Sequence, residues 1–281
     1  MNAVTQKPIT RIEYADRIVE ALTANLSGLR AEFHRKDRIH SCHLDNLLPE
    51  EWARTIFESF PAPTAMMERK NLREHKFVAA QMNRFNPVLE EAVYAFQDPR
   101  VLVLVEQITG IRDMIPDELL YAGGISLMGT GHFLNPHLDN SHDNERKTYR
   151  VLNLLYYVSP DWSAECGGNL ELWDQGPQNL PRQIVSKFNR LVLMATDKHS
   201  WHSVNSVRAT HAPRCCISNY YFSNQPLEAL DYFHITTFRG RPNQPLRDKL
   251  LQGDAVLRTG LRKIFKKGSV KTKHIYRKDE A

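Results

Sequence analysis

Beyond Asp117 the chain breaks into short β-branched and aromatic runs separated by turn formers: YAGGISLM, HFLNPHLD, TYRVLNLLYYV, NLELW, RLVLMAT and CCISNYYF. Such runs fit a pleated, half-buried surface and not a helix. Six or more short strands with turns between them predict an antiparallel sandwich or barrel, and a double-sheet jelly roll is one of the few such folds with room for an internal ligand. The N-terminal third has a different texture. Ile18, Leu22, Leu26 and Leu29 within residues 12–36, and Trp52, Ile56 and Phe60 within 47–60, recur at helical spacing, and Pro49 is followed by acids as at a helix start. VLVLVEQITG fits either a buried helix or a strand and is read as a helix. The expected organisation is a mostly helical region over residues 1–115, a β core over 116–240 and a basic, partly helical segment over 241–281.

With 42% hydrophobic and 25% charged residues, the 281-residue chain is neither collagenous, low-complexity nor wholly disordered. Its first thirty residues contain no apolar signal region, and no stretch approaches the ~18 apolar residues of a membrane span. A cytoplasmic protein is expected, with no membrane span. Cys42, Cys166, Cys215 and Cys216 form no CxxC, so neither a disulfide framework nor a zinc knuckle is indicated and reduced thiols are expected. The formal charge of +5 is unevenly placed: Arg241 to Ala281 holds 12 Lys and Arg against 4 Asp and Glu, a net of +8, which leaves −3 for the rest. The body is mildly acidic and only the tail is basic.

In HFLNPHLD, His137 and Asp139 stand two apart, which on a strand puts both on one face, as a shared metal ion requires. The dipeptide alone does not specify a metal. His199 and His202 follow an apolar strand, and two imidazoles with one carboxylate on one face of an iron leave three sites open. Being an odd number apart, only one of the two can be the ligand on a common strand. On the next strand Arg214, Cys216, Ser218 and Tyr220 share a face. Either Arg214 lies at the surface, or an acidic ligand sits opposite its planar fork, because a buried unpaired guanidinium is costly.

GTGHFLNPHLDN, RVLNLLYYVSPDW, CGGNLELWD, LVLMATDKHSWHSV and RCCISNYYF together resemble the successive motifs of the prolyl-4-hydroxylase-like branch of the iron(II) and 2-oxoglutarate dependent dioxygenases. The match runs over about residues 121–223 in the family's order. The resemblance implies a double-stranded β-helix (a cupin-like jelly roll), with His137, Asp139 and His202 as iron ligands. It also implies Arg214 as the partner of the distal carboxylate of 2-oxoglutarate, with Tyr157 and Ser218 in the same pocket. His199, His132, His142 and His211 match no ligand position and are expected at the surface or behind the ligands. Leu127 stands near the place where some relatives offer a tyrosine to the cosubstrate, and a long gap after His202 leaves Arg208 as a competitor to Arg214. Gly167 and Gly168 match a turn entering a strand near the site; Trp162, Trp173 and Trp201 are read as core or pocket wall.

What the resemblance implies chemically is Fe(2+) as cofactor, 2-oxoglutarate and O2 as cosubstrates, ascorbate as a stimulant, and release of succinate and CO2. Since Asp139 is present, hydroxylation is expected and not halogenation. The substrate is a small molecule or a peptidyl group: an amino acid, a prolyl residue, a glycan or a secondary metabolite. A nucleic-acid partner is not expected, and the sequence is silent on oligomeric state. The competing reading is a jelly-roll binding module with a structural metal, whose basic tail binds nucleic acid or anionic surfaces. Against a role for the tail, Ala255, Leu257, Leu261, Ile264 and Phe265 predict an apolar side that packs back onto the core.

Overall fold

Asp98, Pro99 and Gly110 decide what VLVLVEQITG becomes. The Asp98 side chain accepts a hydrogen bond from Arg100 N, Pro99 occupies the first turn, and Gly110 ends the segment at φ 72°, which glycine adopts without a Cβ clash. The result is a helix, as expected, whose Val101, Val105 and Ile108 are buried. The computed structural model describes residues 8–228, 233–264 and 275–278. Its α-helices are α1 (Arg11–Phe33), α2 (Glu50–Glu58), α3 (Pro87–Ala95), α4 (Pro99–Thr109) and α5 (Pro245–Ile264). The strands are β1 (Ser41–Asp45), β2 (Met67–Lys70), β3 (Glu74–Ala79), β4 (Ile115–Pro116), β5 (Gly124–Met128), β6 (Phe133–Leu138), β7 (Tyr149–Tyr157), β8 (Leu170–Leu172), β9 (Arg182–Ile184), β10 (Arg190–Ala195), β11 (His202–Val204), β12 (Arg214–Ser223) and β13 (Thr237–Phe238).

All the strands join one curled antiparallel sheet in the order β1-β10-β7-β12-β5-β3-β6-β11-β8-β9, with β13 on β6, β2 on β3 and β4 on β12. Strands distant in sequence lie side by side, as in a jelly roll. Along β7 the residues alternate. Leu152, Leu154 and Tyr156 join Ile18, Leu22, Val101 and Val105 in the main core between sheet and helices, while Asn153 and Leu155 face an internal cavity. Helix α1 starts at a capping box in which Thr10 and Glu13 satisfy each other's backbone N–H groups. It packs Tyr14, Ile18, Leu22, Leu29 and Phe33 into the core it shares with α3, α4 and β1, each large aliphatic side chain so buried contributing about 1.5–3 kcal/mol.

The N-terminal third is less helical than its sequence pattern predicts. It contributes β1, which pairs with β10, and the β2–β3 hairpin, which enters the sheet centrally. Strand β3 pairs with β5 through Phe77 to Ala79 and with β6 through Glu74 and His75, closing the curl. Its apolar alternation is weak because Glu74, Lys76 and Val78 all point into the cavity. Leu127 is buried in the main core and offers the cavity nothing, while its neighbours Ser126 and Met128 face it.

Helix α5 does pack back, on β13, with Ala255 buried as expected, but Leu257 does not share that face. Leu251 and Ala255 are buried, whereas Leu257 is 71% exposed. Two ion pairs fix the helix: Asp248 with Arg239 (2.7 Å) and Asp254 with Arg73 in the β2–β3 turn (3.1 Å). The side chains of Leu261 and Ile264, and Phe265 altogether, lie outside the described residues. No helix among the described residues is long and apolar enough to cross a membrane.

Candidate active site

His137 on β6 and His202 on β11 are direct cross-strand partners, so strand pairing alone brings their rings to 4.1 Å between centroids. Asp139 follows two residues after His137 on the same face, as its spacing predicts. One carboxylate oxygen lies 3.7 Å from His137 Nε2 and the other 3.7 Å from His202 Nε2. Candidate donor atoms of the three residues all fall within 4.8 Å of one another, the one such grouping among the described residues. His137 Nδ1 bonds the Asn135 carbonyl (3.0 Å) and His202 Nδ1 the Ser200 carbonyl (2.9 Å), so each Nδ1–H is held by backbone and each Nε2 lone pair points inward.

The electrostatics suit a divalent metal. Burial, reinforced by the neighbouring His202, lowers the His137 pKa to about 3, so its imidazole is neutral at pH 7. Burial also acts to raise the Asp139 pKa, but Arg150 and the two imidazoles outweigh it and hold the carboxyl at about 2, ionised. Asp139 Oδ2 is buried without a hydrogen bond. A buried anionic oxygen left bare beside two inward imidazole lone pairs is the donor set that iron(II) fits.

His199 is exposed and its ring lies 3.8 Å from Glu228, away from the triad. Of the remaining histidines, His211 is at the surface as expected. His132 and His142 are buried, His132 stacked on His75 at 3.6 Å, and neither joins the triad. All four cysteines are free. Trp162 and Trp173 are core residues, and Trp201 is half-buried.

The triad opens into a cavity of about 340 Å³ whose lining includes Arg214, Cys216, Ser218 and Tyr220, the four residues that strand parity placed together. Arg214 is 3% exposed. Its Nε donates to Ser186 Oγ (2.9 Å) and its guanidinium lies over the Tyr157 ring at 4.7 Å, but among the described residues no carboxylate pairs with it. Tyr157 Oη is buried beside Ser186 and Arg214, and burial holds the phenol protonated. Arg208 is exposed and caps the carbonyls of Ala164 and Glu165, which removes it as a competitor.

Gly168 makes room for this arrangement. At φ 63° a Cβ there would stand 2.8 Å from Arg214 Cδ and 3.0 Å from Val207 Cγ2. Gly168→Ala is expected to cost about 1–2 kcal/mol of stability and to displace the guanidinium. Denaturant midpoints of the two proteins check the first effect. Ligand titration of the folded variant checks the second.

Several cavity residues were not legible in the sequence. Arg150 ion-pairs with Asp139 Oδ1 at 3.4 Å and lies over the Tyr220 ring. By simple alternation it should face away from Asn153. A register shift sets Phe222 opposite Arg150 directly after Tyr221 opposite Leu152, and this β-bulge turns Arg150 inward. Ser186, which holds Arg214, carries no local signal, and Arg69, Glu74 and Lys76 arrive on the β2–β3 hairpin.

A curled antiparallel sheet that buries two histidines, one aspartate and an arginine with no carboxylate partner among the described residues around one cavity has the donor set of a mononuclear metal site in a jelly-roll fold. Residues 123–222 match the model of the 2OG-Fe(II) oxygenase superfamily, and the curated relatives and solved structures similar to this chain include prolyl hydroxylases. Iron(II) is the metal of this superfamily, and 2-oxoglutarate and O2 its cosubstrates. The chain is 31% identical over 96 residues to mouse prolyl 3-hydroxylase OGFOD1, covering 33% of this chain and 17% of that one. With rat Egl nine homolog 1 it is 28% identical over 126 residues, covering 43% and 34%. The alignments thus span about a third or less of these curated relatives. Among solved structures, a Pseudomonas putida prolyl-4-hydroxylase (TM-score 0.52, 14% identity, 69% of this chain and 98% of that one) shares the fold. So does a Phytophthora capsici prolyl 4-hydroxylase (TM-score 0.53, 18%, 83% and 72%).

Proposed function

We propose that this protein is an iron(II)- and 2-oxoglutarate-dependent hydroxylase in which His137, Asp139 and His202 hold the metal and Arg214 anchors the cosubstrate. The observation that carries this reading is the buried Arg214 without a protein carboxylate, on the same cavity as the triad. A binding module with a structural metal has no use for a guanidinium left so exposed to its own desolvation cost. Bound iron with 2-oxoglutarate and O2 supplies oxidative decarboxylation of the cosubstrate to succinate and CO2, coupled to insertion of one oxygen atom into a substrate C–H bond.

The chain's own residues orient and shield that chemistry. The two Nε2 atoms and Asp139 would hold the metal, all three being on one side of the cavity. Arg214, steadied by Ser186, would pair with the distal carboxylate of 2-oxoglutarate, and Tyr157 Oη and Ser218 Oγ would offer neutral donors to the same group. Met128, Leu134, Leu155, Leu170 and Val204 line the rest of the cavity and exclude water. Asn153, Tyr220 and the hairpin residues Arg69, Glu74 and Lys76 form the polar remainder, where the substrate is placed. Because the OGFOD1 relative is named a prolyl 3-hydroxylase, a peptidyl prolyl residue is the first substrate to offer. The four free cysteines accord with a reducing compartment such as the cytoplasm.

Purified protein with iron(II), ascorbate and O2 is expected to convert 2-oxoglutarate to succinate, slowly alone and faster with its substrate. Calorimetry should show that 2-oxoglutarate binding requires metal. Failure of the metal-loaded protein to bind 2-oxoglutarate would refute the proposal.

A further inference from the structure

The outward face of α5 carries an apolar stripe that nothing among the described residues covers. Leu246, Leu250 and Leu257, spaced four and seven apart, are 78%, 63% and 71% exposed, and Val256 beside them is 73% exposed. They lie opposite Leu251, Ala255 and Asp248, the residues that dock the helix on β13. Lys249 flanks the stripe on one side, and on the other Arg247 lies half-buried over the Phe133 ring beside the Arg258–Asp254 pair. The acids of the described helix are both engaged, Asp248 with Arg239 and Asp254 with Arg73 and Arg258. The outer face is therefore apolar along its centre and positive along its edges, in the segment that holds the chain's excess of positive charge.

We propose that α5 is an interfacial helix that docks the protein on an anionic lipid surface. The leucines would enter the headgroup–acyl boundary while the flanking cations stay level with lipid phosphates, which suits a helix not apolar enough to span. A second copy packing α5 against α5 would bring like charges together. A nucleic acid would satisfy the cations and leave the leucines wet. Lipid satisfies both halves of the surface. This inference does not depend on the enzymatic reading.

The test is co-sedimentation of the full chain with vesicles of phosphatidylcholine alone and of phosphatidylcholine mixed with phosphatidylglycerol. Binding is expected only to the anionic vesicles and should fall as salt is raised. Leu250→Asp with Leu257→Asp, both at exposed positions, should weaken it at least about tenfold while leaving metal-dependent 2-oxoglutarate binding unchanged. Leu246→Asp with Val256→Asp is the independent second pair and should behave alike. No binding to anionic vesicles, or equal binding by both double variants, overturns the proposal. So does a concentration-dependent dimer, or tight RNA binding, that the same substitutions abolish while vesicles are ignored.

Discussion

Arg214→Ala is expected to raise the 2-oxoglutarate requirement by roughly thirty- to four-thousand-fold, corresponding to a loss of about 2–5 kcal/mol when one partner of a buried charge pair is truncated. Metal binding should persist, because the guanidinium makes no contact with His137, Asp139 or His202. The unliganded protein should not lose stability. There Arg214 is a buried cation facing no carboxylate, so removing it also removes a desolvation cost, and Ser186 keeps its bond to the Gly168 carbonyl at 2.7 Å. Arg214→Lys should fall between, keeping the charge and losing the two-pronged geometry. The measurements are a 2-oxoglutarate titration of the metal-loaded protein and a denaturant curve of the free one. A steep rise in requirement for Arg208→Ala, with Arg214→Ala near normal, would move the anchoring role to the loop arginine.

Alanine at His137, Asp139 or His202 is expected to reduce tightly bound iron and turnover to background, because two ligands on one face no longer hold the metal against water. The three variants should nonetheless differ in stability. His137→Ala and His202→Ala remove neutral imidazoles. Asp139→Ala strips the partner from Arg150, whose side chain is 3% exposed, and leaving such a charge uncompensated costs about 3–5 kcal/mol. Asp139→Asn should lose the metal as well, since the amide is a neutral donor. His199→Ala should keep iron and turnover, because that ring points to solvent and Glu228. Iron content after dialysis, read beside denaturant midpoints, separates ligand loss from unfolding. A dead His199→Ala beside an active His202→Ala would reverse the assignment.

Much of this site was legible in the chain because strand geometry is periodic and local. Two-residue spacing put His137 and Asp139 on one face and grouped Arg214, Cys216, Ser218 and Tyr220, since side chains alternate wherever a strand is regular. Odd spacing allowed only one of His199 and His202 as a ligand on a common strand, but His199 lies in the turn before β11, off the strand altogether. Helix ends were equally readable where Asp98, Pro99 and Gly110 supplied their own capping chemistry. In α5, by contrast, a helical period announced an amphipathic helix but not which side would dock. That choice fell to the ion pairs of Asp248 and Asp254 with Arg239 and Arg73, the second of them 181 residues away in the chain.

What the tertiary structure alone decided are the contacts between segments far apart in sequence and the departures from regularity. That His202, and not His199, faces His137 is a matter of pairing between β6 and β11, which no local pattern encodes. Leu127 turned to the core because β5 is sandwiched between β3 and β12, which fixes its faces. The hairpin carrying Arg69, Glu74 and Lys76 hid as a strand because a cavity-facing strand loses the apolar alternation by which strands are recognised. Arg150 came to Asp139 through a bulge that reverses parity at a single position. Ser186 met Arg214 by closure of the curl. Each of these is a long-range pairing whose energy is collected only when the whole sheet closes, so the amino-acid sequence specifies it without displaying it in any one stretch.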